Sequence, residues 1–323
     1  MTSPAVSLIV CCYNASSTVA ATLDSLLAQS FKDFELIIID DGSVDQTADV
    51  VEVVSSKDER VRLLRNELNR GIAFSRQRGL EEAKSELILF FDADDLAHPH
   101  LIKNLATRLK SDNACMGVSC YANYFDGSGK LGSQRIGALT PSEFFKMWRE
   151  NKLYFQSMVT LTYRLLCLRA GGFRLNILPN PQGVRYEDFA EDLDLWCRMA
   201  DFGSEGRYFV SIPEPLFKYR KPMESLSTRN LKLMQLKMRW IKDCLCRRRA
   251  GEAEQSLSSF IASRTVWDRF NDWRSDKAAA WYKKAGFAWM RRDWLQLAIF
   301  LGLSGAFSPK LIRQKLKTQA AAR

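Results

Sequence analysis

Across the first 120 residues of this 323-residue chain, short strand-forming runs alternate with segments of helical periodicity, and this rhythm narrows the fold most. Val6–Cys12 (VSLIVCC) reads as a buried strand, and residues 16–29 as a helix carrying Val19, Leu23, Leu26 and Leu27. FELIII at 34–39 and LILFF at 87–91 repeat the strand pattern, VRLL at 61–64 is a shorter one, and helical segments follow at 47–54, at 72–83 and after Pro99. Strand and helix taking turns four times requires crossover connections, which predicts an α/β fold with a mainly parallel central sheet flanked by helices. Such sheets bind ligands beyond the carboxyl ends of their strands.

Acidic residues gather at those ends. Asp40-Asp41-Gly42-Ser43 directly follows FELIII. A carboxylate there can accept from a base imide or a ribose hydroxyl, and the same letters also suit a helix cap and turn. Asp92-Ala93-Asp94-Asp95 directly follows LILFF. Hard oxygen ligands crowded together suit Mg²⁺ or Mn²⁺ completed by phosphates and water, or else an acidic cap for the next helix. Glu191 and Asp192 open a helical pattern of Leu193, Leu195, Trp196 and Met199. They can supply a general base or simply favour a helix N-terminus. Glu187-Asp188, just upstream, repeats the letters without the helical pattern behind it. His98 and His100 flank Pro99 and read as surface residues at a helix start.

After residue 120 the rhythm loosens. A turn is expected at 126–129, a helix at 141–148 capped by Thr140 or Ser142, and a strand at 159–162. Gly171-Gly172-Phe173 breaks the chain, 176–185 reads as a loop, and a strand at 207–212 ends before Pro213 and Pro215. From residue 229 the pattern is almost wholly helical.

Charge is unevenly spread. Basic and acidic residues number 12 and 17 in 1–110, 14 and 13 in 111–228, and 21 and 7 in 229–323, so the net +10 resides in the last segment. Basic clusters there alternate with Trp240, Trp267, Trp273, Trp281, Trp289 and Trp294. That composition suits a helix lying on an anionic membrane surface, or a solvated helical appendage. No nucleic-acid reader motif is present, which argues against that class of partner. The eight cysteines include no C-x-x-C and the histidines number two, so neither a disulfide framework nor a zinc site is expected. MTSPAVSLIV has neither a basic start nor a long apolar core, and the apolar stretch 294–307 is too short for a bilayer span. These features predict a reduced, cytoplasmic protein, or one peripheral at the inner face of the cell membrane.

Taken together, the motifs resemble family 2 of the inverting glycosyltransferases, which have the GT-A (nucleotide-diphospho-sugar transferase) fold. The resemblance rests on VSLIVCCYNA with Tyr13 and Asn14, on Asp40-Asp41-Gly42-Ser43, and on Asn69-Arg70-Gly71 with Arg76 and Gly79. It continues through Phe91-Asp92-Ala93-Asp94-Asp95, Gly171-Gly172-Phe173, and Glu191-Asp192 with Asp194, Leu195, Trp196 and Arg198. It implies a catalytic domain at 1–228, with a nucleotide-binding half (1–110) and an acceptor half (111–228), followed by a helical basic region at 229–323.

By that resemblance Tyr13 packs against a nucleotide base, Asp41 beside Asp40 bonds its polar edge, and Arg76 lies near the nucleotide or its diphosphate. Asp92 faces the ribose and, with Asp94, a Mn²⁺ or Mg²⁺ ion. Asp192 is the catalytic base, with Glu191 beside it. The implied partners are a nucleotide-sugar donor, UDP by family habit, and a carbohydrate or lipid-linked acceptor, in cell-surface polysaccharide or glycolipid synthesis. The alternative is a non-catalytic member of the fold that binds a nucleotide or a membrane-associated partner. Two departures stand out. Gln77 and Arg78 occupy the stretch where Asn is usual at the first of them, and Pro222 stands where many members have histidine, leaving Arg220 or Lys221 to supply positive charge.

Overall fold

The structure is a computed structural model and describes residues 3–126, 129–178, 185–220, 230–309 and 312–313. The chain forms two compact units: Met1–Pro222 with Met238–Glu254, and Met223–Lys237 with Gln255–Arg323.

The first unit opens with β1 (Val6–Cys12), α1 (Val19–Leu27), β2 (Phe34–Asp40), α2 (Thr47–Ser55), β3 (Val61–Arg65), α3 (Ile72–Glu82) and β4 (Leu87–Asp92). β1 and β2 are apolar on both faces because both faces are covered: Leu8, Ile9, Val10, Ile37, Ile38 and Ile39 are all fully buried. β1 pairs in parallel with β2 and β4, and β2 with β3. α3 packs on β1 and β2. The approach is close at Gly79, where a Cβ would stand 2.3 Å from Ile9 Cγ2.

The remainder of this sheet is mixed. It adds β5 (Leu96–Ala97), α4 (Leu101–Lys110), β6 (Cys115–Phe125), β7 (Lys130–Gln134), α5 (Pro141–Arg149), β8 (Thr160–Tyr163), α6 (Arg164–Arg169), α7 (Glu191–Met199) and β9 (Tyr208–Arg220). The strand order is β3-β2-β1-β4-β8-β6-β9-β5, with β7 on β6. β8 runs antiparallel between β4 and β6, whereas β6 and β9 are parallel. β1–β4, β6 and β9 therefore all run the same way and β5, β7 and β8 oppose them, so the sheet is mainly parallel, as the sequence leads one to expect.

β9 also runs past the prolines expected to end it. Its register on β6 moves from Cys120↔Ile212 to Tyr121↔Pro215, so Pro213 and Glu214 fall at an irregularity where a missing N–H breaks no ladder bond. Thr140 caps α5 by accepting from the Glu143 N–H at 3.2 Å.

In the second unit, α8 (Leu231–Arg249) begins and then passes into the first. α9 (Leu257–Ser263), α10 (Val266–Met290) and α11 (Trp294–Phe307) follow. Thr265 and Asp268 cap α10 reciprocally, and Asp293 caps α11. α10 and α11 pair as a hairpin in which Ser304 Oγ donates to the Ala278 carbonyl at 2.8 Å and Trp281 stacks on Phe300. Among the described residues no helix is long and apolar enough to cross a membrane.

Candidate active site

Register places three strand ends level. Cys12 of β1 lies opposite Asp40 of β2, and Cys11 opposite Asp92 of β4. Strand order departs in opposite directions from β1, so the crevice between β1 and β4 is the switch point at which open α/β sheets bind ligands.

On the β1–β2 side, Tyr13 is 47% exposed at the rim. The adjacent loops are stitched together: the Asn14 N–H donates to Ser43 Oγ at 2.9 Å and the Ala15 N–H to Thr47 Oγ1 at 2.7 Å. Asp40 is fully buried and turned inward, accepting from the Ser43 N–H at 3.2 Å with Arg65 Nε at 3.3 Å. Asp41 reaches the next loop. Its Oδ1 accepts from Asn66 Nδ2 (2.6 Å) and the Arg70 N–H (2.9 Å), and its Oδ2 from the Gly71 N–H (2.8 Å). Asp41 therefore shapes the Asn-Arg-Gly turn, with both oxygens engaged by the protein. Gly71, at φ +95°, leads into α3 where a Cβ would meet the Asp188 carboxylate.

Both residues of the altered Gln77-Arg78 pair have structural work. Arg78 Nη1 donates to Asn66 Oδ1 at 2.6 Å and so holds the residue that holds Asp41. Gln77 Oε1 accepts from the Phe173 N–H at 2.8 Å, bracing the Gly-Gly-Phe turn. Asn66 was not singled out from sequence, because its place in the site arises from a loop closing back on β2.

Arg76 joins the two halves of the site. Its buried guanidinium donates to Asp92 Oδ1 at 2.8 Å and pairs with Glu191 Oε1. Burial alone would lower its pKa, but the carboxylates of Glu191 and Asp92, with Asp192 next, raise it, so the charge is firmly kept. Asp192, half-buried beside Glu191 in the first turn of α7, accepts from the Leu193 N–H at 2.7 Å. The structure therefore brings Arg76, Asp92, Glu191 and Asp192 together, and places Arg76 between acids.

The β4 loop is tied down from β9. The Arg220 N–H donates to Asp95 Oδ1 at 2.8 Å, and Arg220 Nε to the Asp94 carbonyl at 3.0 Å. Asp95 is buried, and its burial with the nearby Asp92 and Asp94 charges raises its pKa well above the usual carboxylate range. Burial, then Asp92, pushes the Asp94 carboxyl up to about 6. Arg220 does supply positive charge beside this loop; Lys221 and Pro222 lie outside the described residues. Among the described residues, no three His, Cys, Asp or Glu side chains are arranged to hold a metal ion. Asp92 and Asp94 fit a divalent cation as an acidic pair whose mutual repulsion a cation would relieve, with phosphates and water completing its shell.

The upstream acidic pair has a different place from Glu191-Asp192. Asp188 Oδ1 accepts from the Ala73 N–H at 3.1 Å in the first turn of α3, and its Oδ2 from Arg185 Nε at 2.9 Å. Arg185 in turn donates to the Asn69 carbonyl at 2.9 Å, so this segment clasps the turn at Asn69. Residues 179–184 of the expected loop lie outside the described residues. Farther along α7, Arg198 bonds Asp194 at 2.8 Å and the Gly172 carbonyl at 2.7 Å. His98 and His100 are exposed beside α4.

Known proteins match this architecture. The chain is 28% identical to an uncharacterized glycosyltransferase of Haemophilus influenzae, over 67% of this chain and 65% of that relative's length. It is 34% identical to the UDP-Glc:alpha-D-GlcNAc-diphosphoundecaprenol beta-1,3-glucosyltransferase WfaP of Escherichia coli, over 37% of this chain and 46% of that one. The mannosyltransferase PcManGT of Pyrobaculum calidifontis, solved with GDP-Man and Mn²⁺, superposes with a TM-score of 0.53 at 17% identity, covering 95% of this chain and 87% of that one. The fold is GT-A, as the motifs lead one to expect. The sequence profile of glycosyl transferase family 2 matches residues 7–176, more than half of the chain, and the chain belongs to that family.

Proposed function

We propose that the protein moves a sugar from a UDP-sugar to an acceptor hydroxyl with inversion, in the synthesis of a cell-surface polysaccharide or glycolipid. The observation that carries this reading is the meeting of the acidic end of β4 and the first turn of α7 on Arg76. In this reading Asp92 and Asp94 face the diphosphate, and Asp192, beside Glu191, serves the acceptor side. Tyr13 offers an exposed ring for a base, and the turn organised by Asp41 offers its backbone to the nucleotide.

In this reading Asp192 accepts the proton of the acceptor hydroxyl. The hydroxyl oxygen bonds to the anomeric carbon as the carbon–oxygen bond to the diphosphate breaks, and the nucleoside diphosphate leaves from the opposite face. Arg76 holds Asp92 and Glu191 in place while this happens. A Mn²⁺ or Mg²⁺ ion bound at Asp92 and Asp94, Asp94 being the more direct ligand, would supply compensation for the charge left on the departing phosphate. WfaP, by its name, uses UDP-Glc and a lipid-linked acceptor, and this supports a UDP donor and a carbohydrate or lipid-linked acceptor here.

The test is release of nucleoside diphosphate from a panel of sugar nucleotides, with and without Mn²⁺ or Mg²⁺. Metal-stimulated turnover of one donor, lost in Asp94→Asn and Asp192→Asn, is the expected result. Turnover that survives Asp192→Asn would overturn the assignment of the base. A thermal shift with UDP and Mn²⁺ but no turnover with any donor and acceptor would favour the binding-only reading.

A further inference from the structure

The α10–α11 hairpin carries a surface that the sugar-transfer chemistry does not use. α11 has 14 residues, none of them charged. Leu295 is 73% exposed, Trp294 58% and Ile299 49%, and Leu301 and Gly302 are also open. The face that packs on α10 is a different one, occupied by Ser304 and Phe300. An amphipathic helix normally turns polar residues outward, and a contiguous apolar outer face marks a surface meant to be covered.

We propose that this face of α11 docks on an anionic lipid bilayer, lying in its interface. Three features favour lipid over a second protein. At 1.5 Å per residue α11 is about 21 Å long, short of the ~30 Å needed to cross, so it is suited to lie flat. Trp289 and Trp294 meet edge to face at 5.4 Å at the hairpin turn, and both are exposed, as interfacial tryptophans are. Arg291 and Arg292 sit exposed in that same turn, within a segment holding 21 basic against 7 acidic residues over 229–323. Basic residues next to an apolar helix complement anionic headgroups. The proposal does not depend on the identity of the sugar or on catalysis.

Co-sedimentation of the full chain with vesicles tests it, comparing phosphatidylglycerol–phosphatidylcholine mixtures with phosphatidylcholine alone. The expected result is salt-sensitive binding to the anionic vesicles. Leu295→Glu with Ile299→Glu should weaken it roughly tenfold or more. Arg291→Gln with Arg292→Gln should weaken it by roughly fivefold per charge. All these positions are exposed, so an unchanged melting temperature checks that the variants fold. Absence of binding by the parent chain, or full binding by the Leu295/Ile299 variant, overturns the proposal. So does a parent dimer, seen by light scattering, that the Glu substitutions split without any vesicle binding; the face would then join two copies of the chain.

Discussion

The Arg76 guanidinium stands 2.8 Å from the Asp92 carboxylate and is almost wholly removed from solvent. Its second partner, Glu191, lies 115 residues along the chain, so one side chain links the end of β4 to the start of α7. Removing one partner of a buried ion pair leaves the others uncompensated. Arg76→Met should therefore cost about 3–5 kcal/mol of stability in urea unfolding. Arg76→Lys, which keeps the charge but loses the two-sided fork, should fold better yet lose most of the activity.

Asp192→Asn should leave the fold and nucleotide binding intact while turnover falls by roughly 10²–10⁴. The measurements are nucleoside diphosphate release and the UDP-induced shift in melting temperature. Loss of both together would point to a structural role for Asp192.

Asp188→Ala should behave in the opposite way. Removing an acceptor from the first turn of α3 should lower stability by about 0.5–2 kcal/mol. Because Asp188 and Arg185 clasp the turn at Asn69, the donor KM should rise more than kcat falls. The two neighbouring acidic pairs are thereby distinguished by steady-state kinetics and chemical unfolding.

Asp94→Asn should weaken the Mn²⁺-dependent part of UDP binding, since an amide gives a cation no charge. Calorimetric titration of UDP with and without Mn²⁺ would show it: metal should strengthen UDP binding to the parent chain and have little effect on the variant. An undiminished metal effect would take the ion away from Asp94.

Gly79→Ala would bring a Cβ to 2.3 Å from Ile9 Cγ2 between α3 and β1. Overpacking of this kind costs about 1–3 kcal/mol. Adding Ile9→Ala, which removes the opposing methyl, should make the pair less destabilising than the sum of the single changes in a double-mutant cycle.

The sequence by itself determined the parallel half of the fold. Unbroken apolar runs such as LIV at 8–10 and III at 37–39 can be satisfied only by burial on both faces, and the helical periods between them force the crossovers. It also put acids at the ends of β2 and β4, because a motif adjoining a strand keeps its place whatever the rest of the chain does. β6 escaped detection because CMGVSC lacks the dense β-branched pattern of the earlier strands and gains its stability from neighbours on either side. Tertiary structure alone decided which acids face which cations. Asp40 turns inward to Ser43 and Arg65, Asp41 spends its oxygens on the turn at residues 66–71, and Arg76 lies between Asp92 and Glu191. Hydrogen bonds and ion pairs act over a few ångströms through space, and only packing of α3 and α7 against the strand ends brings such distant residues within that range.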